Sequence, residues 1–188
     1  MEKTKSASLW TEVGYELFAT EGLDGIQVER LARILQLNKS GFYHYFGDME
    51  VFCDELLRLH DKICDQYLIE VSKLNSIDPG FLQLMVKYKT GVLFNLQLIR
   101  HNDNHLFHKK AERVDQEEEV LLRGLWSDYI GFHDNPNLAI KYYGIVRDML
   151  YTRLSPQNFD YPFLHSRMAE ARLLMDQMIK QETNQQYR

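Results

Sequence analysis

Three features of this 188-residue sequence predict an all-α fold. Apolar residues recur every three or four positions along most of the chain, which is the period of a helix with one buried face. No stretch of useful length alternates polar and apolar residues as a half-buried strand does. Four prolines, at positions 79, 136, 156 and 162, fall between the periodic segments, where each costs far less than it would inside a helix. The composition, 45% hydrophobic and 26% charged, supplies enough apolar surface for a core and excludes a disordered chain. About nine helices are expected, with no internal repeat and no low-complexity linker.

The first helix is expected to bury Leu9, Val13, Leu17 and Phe18 and to stop at Glu21-Gly22, since glycine suits the left-handed turn after a helix. Leu23-Asp24-Gly25 continues that turn. A short second helix spans Ile26 to Ile34, with Val28, Leu31, Ala32 and Leu35 turned inward, and Ala32 is small enough to sit where two helices cross. A third short helix follows Gln36-Leu37, in the run Asn38-Lys39-Ser40-Gly41-Phe42-Tyr43-His44-Tyr45-Phe46. Phe42 and Phe46 stand four apart and share its inner face, which leaves Lys39, Ser40, Tyr43 and His44 outward. Two short helices joined by a tight turn make a helix-turn-helix, the second of which presents side chains to base edges in DNA. The outward set carries an amine, a hydroxyl, a phenol and an imidazole, with no acid between Leu37 and Phe46, and so suits an anionic partner.

Leu9 to Phe46 resembles the N-terminal region of TetR-family repressors. The resemblance rests on the apolar positions and Phe18 of the first helix, Glu21-Gly22-Leu23 in the turn, Leu31-Ala32 in the second helix, and the Leu37 to Phe46 run. It implies a DNA-binding domain over residues 1–47, a C-terminal effector-binding and dimerisation domain over 48–188, and a transcriptional repressor that binds a pseudo-palindromic operator as a homodimer. Lys39 and Ser40 are then candidate base readers, Gln27, Tyr43 and His44 candidate phosphate contacts, and Gly41 a point of close backbone approach. Lys3 and Lys5 would form a basic arm. Four positions depart from the family pattern: Gly14 replaces an alanine, Gln27 a Ser or Thr cap, Gln36 a glycine and Met49 a lysine. Met1 to Glu50 holds five bases against eight acids, so affinity for arbitrary DNA should be poor and salt-sensitive. Arg30 and Arg33 are expected to face solvent or to pair with Glu29.

After Asp48, a plausible helix cap, Phe52, Leu56, Leu59, Ile63, Tyr67, Val71 and Leu74 mark one face of a long helix. Asp78-Pro79 and Asn135-Pro136 both read as a cap followed by proline at the first helical position. Phe81, Met85, Tyr88, Val92, Leu96 and Ile99 continue the period into a polar turn at His101 to Asn104, and a helix from Phe107 to Ile130 follows, broken at most once. The segment Leu138 to Leu150 is apolar on more than one face. Leu164, Met168, Ala171, Met175 and Met178 alternate spacings of four and three like a coiled-coil seam. In the resemblance the last two helices form the homodimer, and a small-molecule effector occupies the second domain. Its candidate lining is His60, Cys64, Tyr67, Phe94, Leu98, Tyr129, Tyr143 and Arg147, each of which also reads as ordinary core.

Other classes are disfavoured. The formal charge of −5 argues against indiscriminate nucleic-acid binding. No apolar run is long enough for a membrane span, and the polar start of the chain suits a cytoplasmic protein. Cys53 and Cys64 lie ~16 Å apart on one helix, beyond bridging distance. His101, His105 and His108 have zinc-like spacing, but Asn102-Asp103-Asn104 favours a turn there, so no metal or other cofactor is implied. Neither a nucleophile elbow nor a phosphate loop is present, which argues against an enzyme. The rival reading is a helical interaction module whose helix-turn-helix binds no DNA or answers to no ligand.

Overall fold

The computed structural model describes residues 2–101, 103–132 and 136–186, with side chains placed for 6–101, 103–132 and 137–177. Within those residues it contains nine α-helices and no strand, as predicted: α1 Glu2–Glu21, α2 Val28–Leu35, α3 Lys39–Phe46, α4 Met49–Val71, α5 Leu82–Lys87, α6 Lys89–Arg100, α7 His105–Ile130, α8 Pro136–Arg153 and α9 Tyr161–Gln186. The side chains of Lys3, Lys5 and Met178, and the expected cap at Asn135, lie outside the described residues. Packing divides the chain into two compact units, residues 1–67 with 90–111, and residues 68–89 with 112–188.

In the first unit, α1 ends as expected at Glu21, and Gly22 follows with φ +71°, opening a 3₁₀ turn over Gly22–Gly25. The buried face of α1 is turned from the expected one. Phe18 is buried as expected, but Leu9 is exposed and Val13 and Leu17 are half-buried, whereas Trp10, Tyr15 and Ala19 are buried. The reason is aromatic: Trp10 meets the ring of Phe42 edge-on at 5.5 Å, and Tyr15 and Phe18 pack on Phe94 at 4.4 and 4.3 Å. Gly14 belongs to the same face. A Cβ there would lie 2.4 Å from the Phe52 ring, so the missing methyl makes room for that ring.

α2 begins at Val28, two residues later than expected, and Ile26 is buried in the turn before it. Gln36 closes α2 in the left-handed conformation (φ 56°, ψ 36°), with its N–H and that of Leu37 donating to the Arg33 and Ala32 carbonyls. α3 matches its expected span. Its N-cap is Asn38, whose Oδ1 accepts from the Ser40 N–H at 3.0 Å. Asp48 caps α4 by accepting from the Val51 N–H at 2.9 Å.

In the second unit, Asp78 has extended backbone before Pro79, but it does not supply the capping bond. Ser76 does, its hydroxyl accepting from the Gly80 N–H at 3.2 Å. The Asp78 carboxylate is taken instead by Tyr161 Oη, which donates at 2.7 Å, and by His165 Nδ1 at 2.6 Å. The helix expected to run through Tyr88 breaks there into α5 and α6. α7 is continuous and starts two residues early, because Asn104 Oδ1 accepts from the N–H groups of Leu106 and Phe107. Its end is a glycine turn, Gly131 at φ +72°. Proline 162 sits inside the first turn of α9 rather than before it, a position where a helix tolerates proline.

The seam Leu164, Met168, Ala171 and Met175 is buried within this single chain, where Tyr142 Oη on α8 donates to the Ala171 carbonyl at 2.9 Å. It is therefore intramolecular packing, not free coiled-coil surface. Among the described residues, the large apolar side chains that α8 and α9 leave exposed are Leu138, Ile145, Leu173 and Leu174. Cys53 and Cys64 are free thiols. Among the described residues no helix is long and apolar enough to cross a membrane.

Candidate nucleic-acid interface

An eight-residue helix has little stability of its own, so α3 must be held by tertiary packing. Phe42 and Phe46 do this. Phe42 is fully buried, and its ring lies 5.1 Å from Phe46 and 5.0 Å from Phe52, with Trp10 on another side. This aromatic floor fixes which way the helix turns. Lys39, Ser40, Tyr43 and His44 are all exposed, Tyr43 by 53%, as predicted from the spacing. A Cβ at Gly41 would touch nothing, so nothing within the chain requires that glycine. Gln27 is exposed at the N-cap position of α2, but it makes no capping bond. Its Nε2 donates back to the Asp24 carbonyl at 3.3 Å.

Charge around this ridge is more closely paired than the sequence indicated. Lys39 Nζ lies 3.0 Å from Glu29 Oε1, and Arg30 donates both its terminal nitrogens to Glu21, at 2.5 and 2.6 Å. Arg30 was expected to face solvent or to pair with Glu29, but the fold gives that carboxylate to Lys39 on α3 instead. The hydrogen bond from Lys39 lowers the Glu29 pKa, and that from Arg30 lowers the Glu21 pKa. Both contacts join residues nine or ten apart across a turn, a distance at which sequence periodicity says nothing. Trp10 was also missed. Its spacing to Gly14 and Phe18 fits a helix face as well as Leu9-Val13-Leu17 does, and the larger ring takes the inner side.

The comparison with family models decides what this head is. Residues 11–56 match the model of the bacterial regulatory proteins of the tetR family. The segment is therefore similar to the helix-turn-helix DNA-binding head of that family. The matched segment is about a quarter of the chain and ends within α4, so it takes in Phe52 and Leu56, which complete the floor beneath the tetR-type head. No curated protein and no solved structure matches the chain significantly.

The expected effector-lining residues fall into two groups, one in each unit. In the first unit His60, Cys64, Tyr67, Phe94 and Leu98 are all buried. His60 stacks on Phe94 at 4.4 Å, its Nδ1 is 2.8 Å from Tyr15 Oη, and Cys64 Sγ is 3.4 Å from its Nε2. Burial pushes the Tyr15 phenol pKa upward, so the phenol is neutral. In the second unit Tyr143 Oη donates to the buried Glu118 carboxylate at 2.5 Å, and the Arg147 guanidinium is 3.5 Å from Asp115. Burial first, then Glu118, holds the Tyr143 pKa well above its usual value. Tyr129 is half-buried, with the Arg172 guanidinium 5.4 Å from its ring centre. His101 lies in the turn after α6, whereas His105 opens α7 with His108 one turn on. Among the described residues no three His, Cys, Asp or Glu side chains are grouped as metal ligands.

Proposed function

We propose that this protein is a cytoplasmic repressor that binds a pseudo-palindromic operator as a homodimer and leaves it when a small molecule occupies its second domain. The observation that carries the reading is the outward ridge of α3, held by Phe42 and Phe46 and free of acids. Lys39 and Ser40 read base edges in the major groove. Tyr43, His44 and Gln27 contact phosphates, and the open space at Gly41 lets the backbone approach the duplex. Residues 1–47 thus carry the DNA-reading role and residues 48–188 the effector and dimer roles. This is a division of labour rather than of packing.

Dimerisation is assigned to α8 and α9, on the support of their exposed Leu138, Ile145, Leu173 and Leu174. Two-fold symmetry would set the recognition helices about 34–36 Å apart, one turn of DNA. A ligand that favours another spacing lowers operator affinity by linkage. For that ligand, the mixed aromatic and polar groups around His60 and around Tyr143 are the two candidate sites.

Selection from a random library of short duplexes at low and at moderate salt tests the reading. Recovery of a two-fold sequence is expected. Tyr43→Ala should then weaken binding to every variant of that sequence alike. Lys39→Ala should lose about 1–3 kcal/mol of discrimination at one position per half-site. Enrichment of no sequence at either salt would overturn the operator reading.

A further inference from the structure

Lys39, the residue placed to read a base, already has an anionic partner. Glu29 Oε1 sits 3.0 Å from its Nζ, as a phosphate oxygen or a guanine acceptor would. Glu29 lies in the first turn of α2 and Lys39 opens α3, so this ion pair spans the turn of the helix-turn-helix itself. Arg30 is occupied by Glu21 in the same manner. Among the described side chains of the head, Arg33 is the one arginine or lysine with no carboxylate partner. We infer that Glu29 is an affinity-setting residue, whose carboxylate competes with DNA for Lys39 and thereby holds back binding to every duplex, so that a duplex offering Lys39 base acceptors in exchange is the one that recovers the loss.

The inference rests on the DNA-reading role proposed for Lys39. Its physics is competition: breaking the pair costs the same on any duplex, and what Lys39 gains in exchange differs from one duplex to another. On an arbitrary duplex, Lys39 gains only a phosphate in place of a carboxylate, and the displaced Glu29 faces a polyanion. On the operator, the ammonium gains directed base acceptors that offset the exchange. Stability is not the function of such a contact, because both partners are more than half exposed, where water and salt screen the attraction. Its position relative to DNA is what gives it weight.

The test compares wild type, Glu29→Gln, Lys39→Ala and the double variant on the library-selected duplex and on a scrambled duplex of equal length, by fluorescence anisotropy over a range of salt. Glu29→Gln should bind the scrambled duplex roughly 3- to 10-fold more tightly at about 0.1 M salt, with a salt slope steeper by about 1. The selected duplex should tighten by a comparable factor, because the same pair is broken on both. On the Lys39→Ala background the gain should largely vanish. Three outcomes overturn the inference alone while the wild type still selects an operator: no change in Glu29→Gln, weaker binding of the selected duplex, or an undiminished gain without Lys39. A wild type that selects no duplex removes the DNA-reading role and the inference together.

Discussion

α3 in the first unit and the α7–α8 pair in the second handle polar side chains in opposite ways. α3 buries only aromatics and leaves its amine, phenol and imidazole outside, and its one ion pair, Lys39–Glu29, is more than half exposed. α7 and α8 draw their polar groups inward: the Glu118 carboxylate and Tyr143 are buried, and Arg147 and Asp115 are at least four-fifths covered. Exposed ion pairs add little to folding and remain free to exchange partners. Buried ones are costly to break, because the partner left behind has no water to turn to. A polar substitution on α3 should therefore change binding without changing stability. The same kind of substitution between α7 and α8 should change stability first.

The largest way to break this contrast is to remove the floor that keeps α3's polar face outward. Phe42→Ala deletes a fully buried ring in contact with Trp10, Phe46 and Phe52, and should cost about 3–5 kcal/mol. The expected result is loss of operator binding together with a lower thermal midpoint by circular dichroism. Loss of binding at an unchanged midpoint would mean that Phe42 acts at the DNA surface instead of beneath it.

A smaller effect tests the other side. Tyr143→Phe keeps the ring but takes one donor from the Glu118 carboxylate, a hydrogen bond to a charged group of about 1.5–3 kcal/mol. The variant should unfold at lower denaturant with an unchanged slope, and its operator affinity at 25 °C should match the wild type's while it stays folded. Tyr143→Phe unfolding at the wild-type midpoint would show that Glu118 does not depend on that phenol.

What could be read from the sequence follows the same division. The α3 ridge was legible because an eight-residue helix with two phenylalanines four apart has only one way to bury them. The helix ends at Gly22 and Asp48 were legible because caps are local chemistry. Long-range choices were not. The face of α1 is decided by Phe42 and Phe94, far along the chain, and Glu29 meets Lys39 only after the turn has folded. Asp78 looked like a helix cap, and its carboxylate is claimed by Tyr161 and His165 more than eighty residues on. The candidate effector-lining residues shared only an apolar setting with a few polar groups, and that description fits two separate clusters.

The smallest predicted effect concerns the turn that aims α3. Gln36 stands where the resemblance to tetR-type heads implies a glycine, and it holds φ 56°, ψ 36°. A side chain in that region costs about 1–2 kcal/mol through its Cβ. Glycine removes this cost but returns about 0.4–1 kcal/mol to the unfolded chain as entropy. Gln36→Gly should therefore stabilise the protein by about 0.5–1 kcal/mol, read as a higher denaturant midpoint. Because the left-handed turn is kept, Lys39 to His44 stay in place and operator affinity should remain within about twofold. A gain in stability without a change in binding would separate the two properties at the hinge of the helix-turn-helix itself. A loss of stability would mean that Gln36 does not hold the left-handed turn, and α3 would then be aimed by other means than the backbone at residue 36.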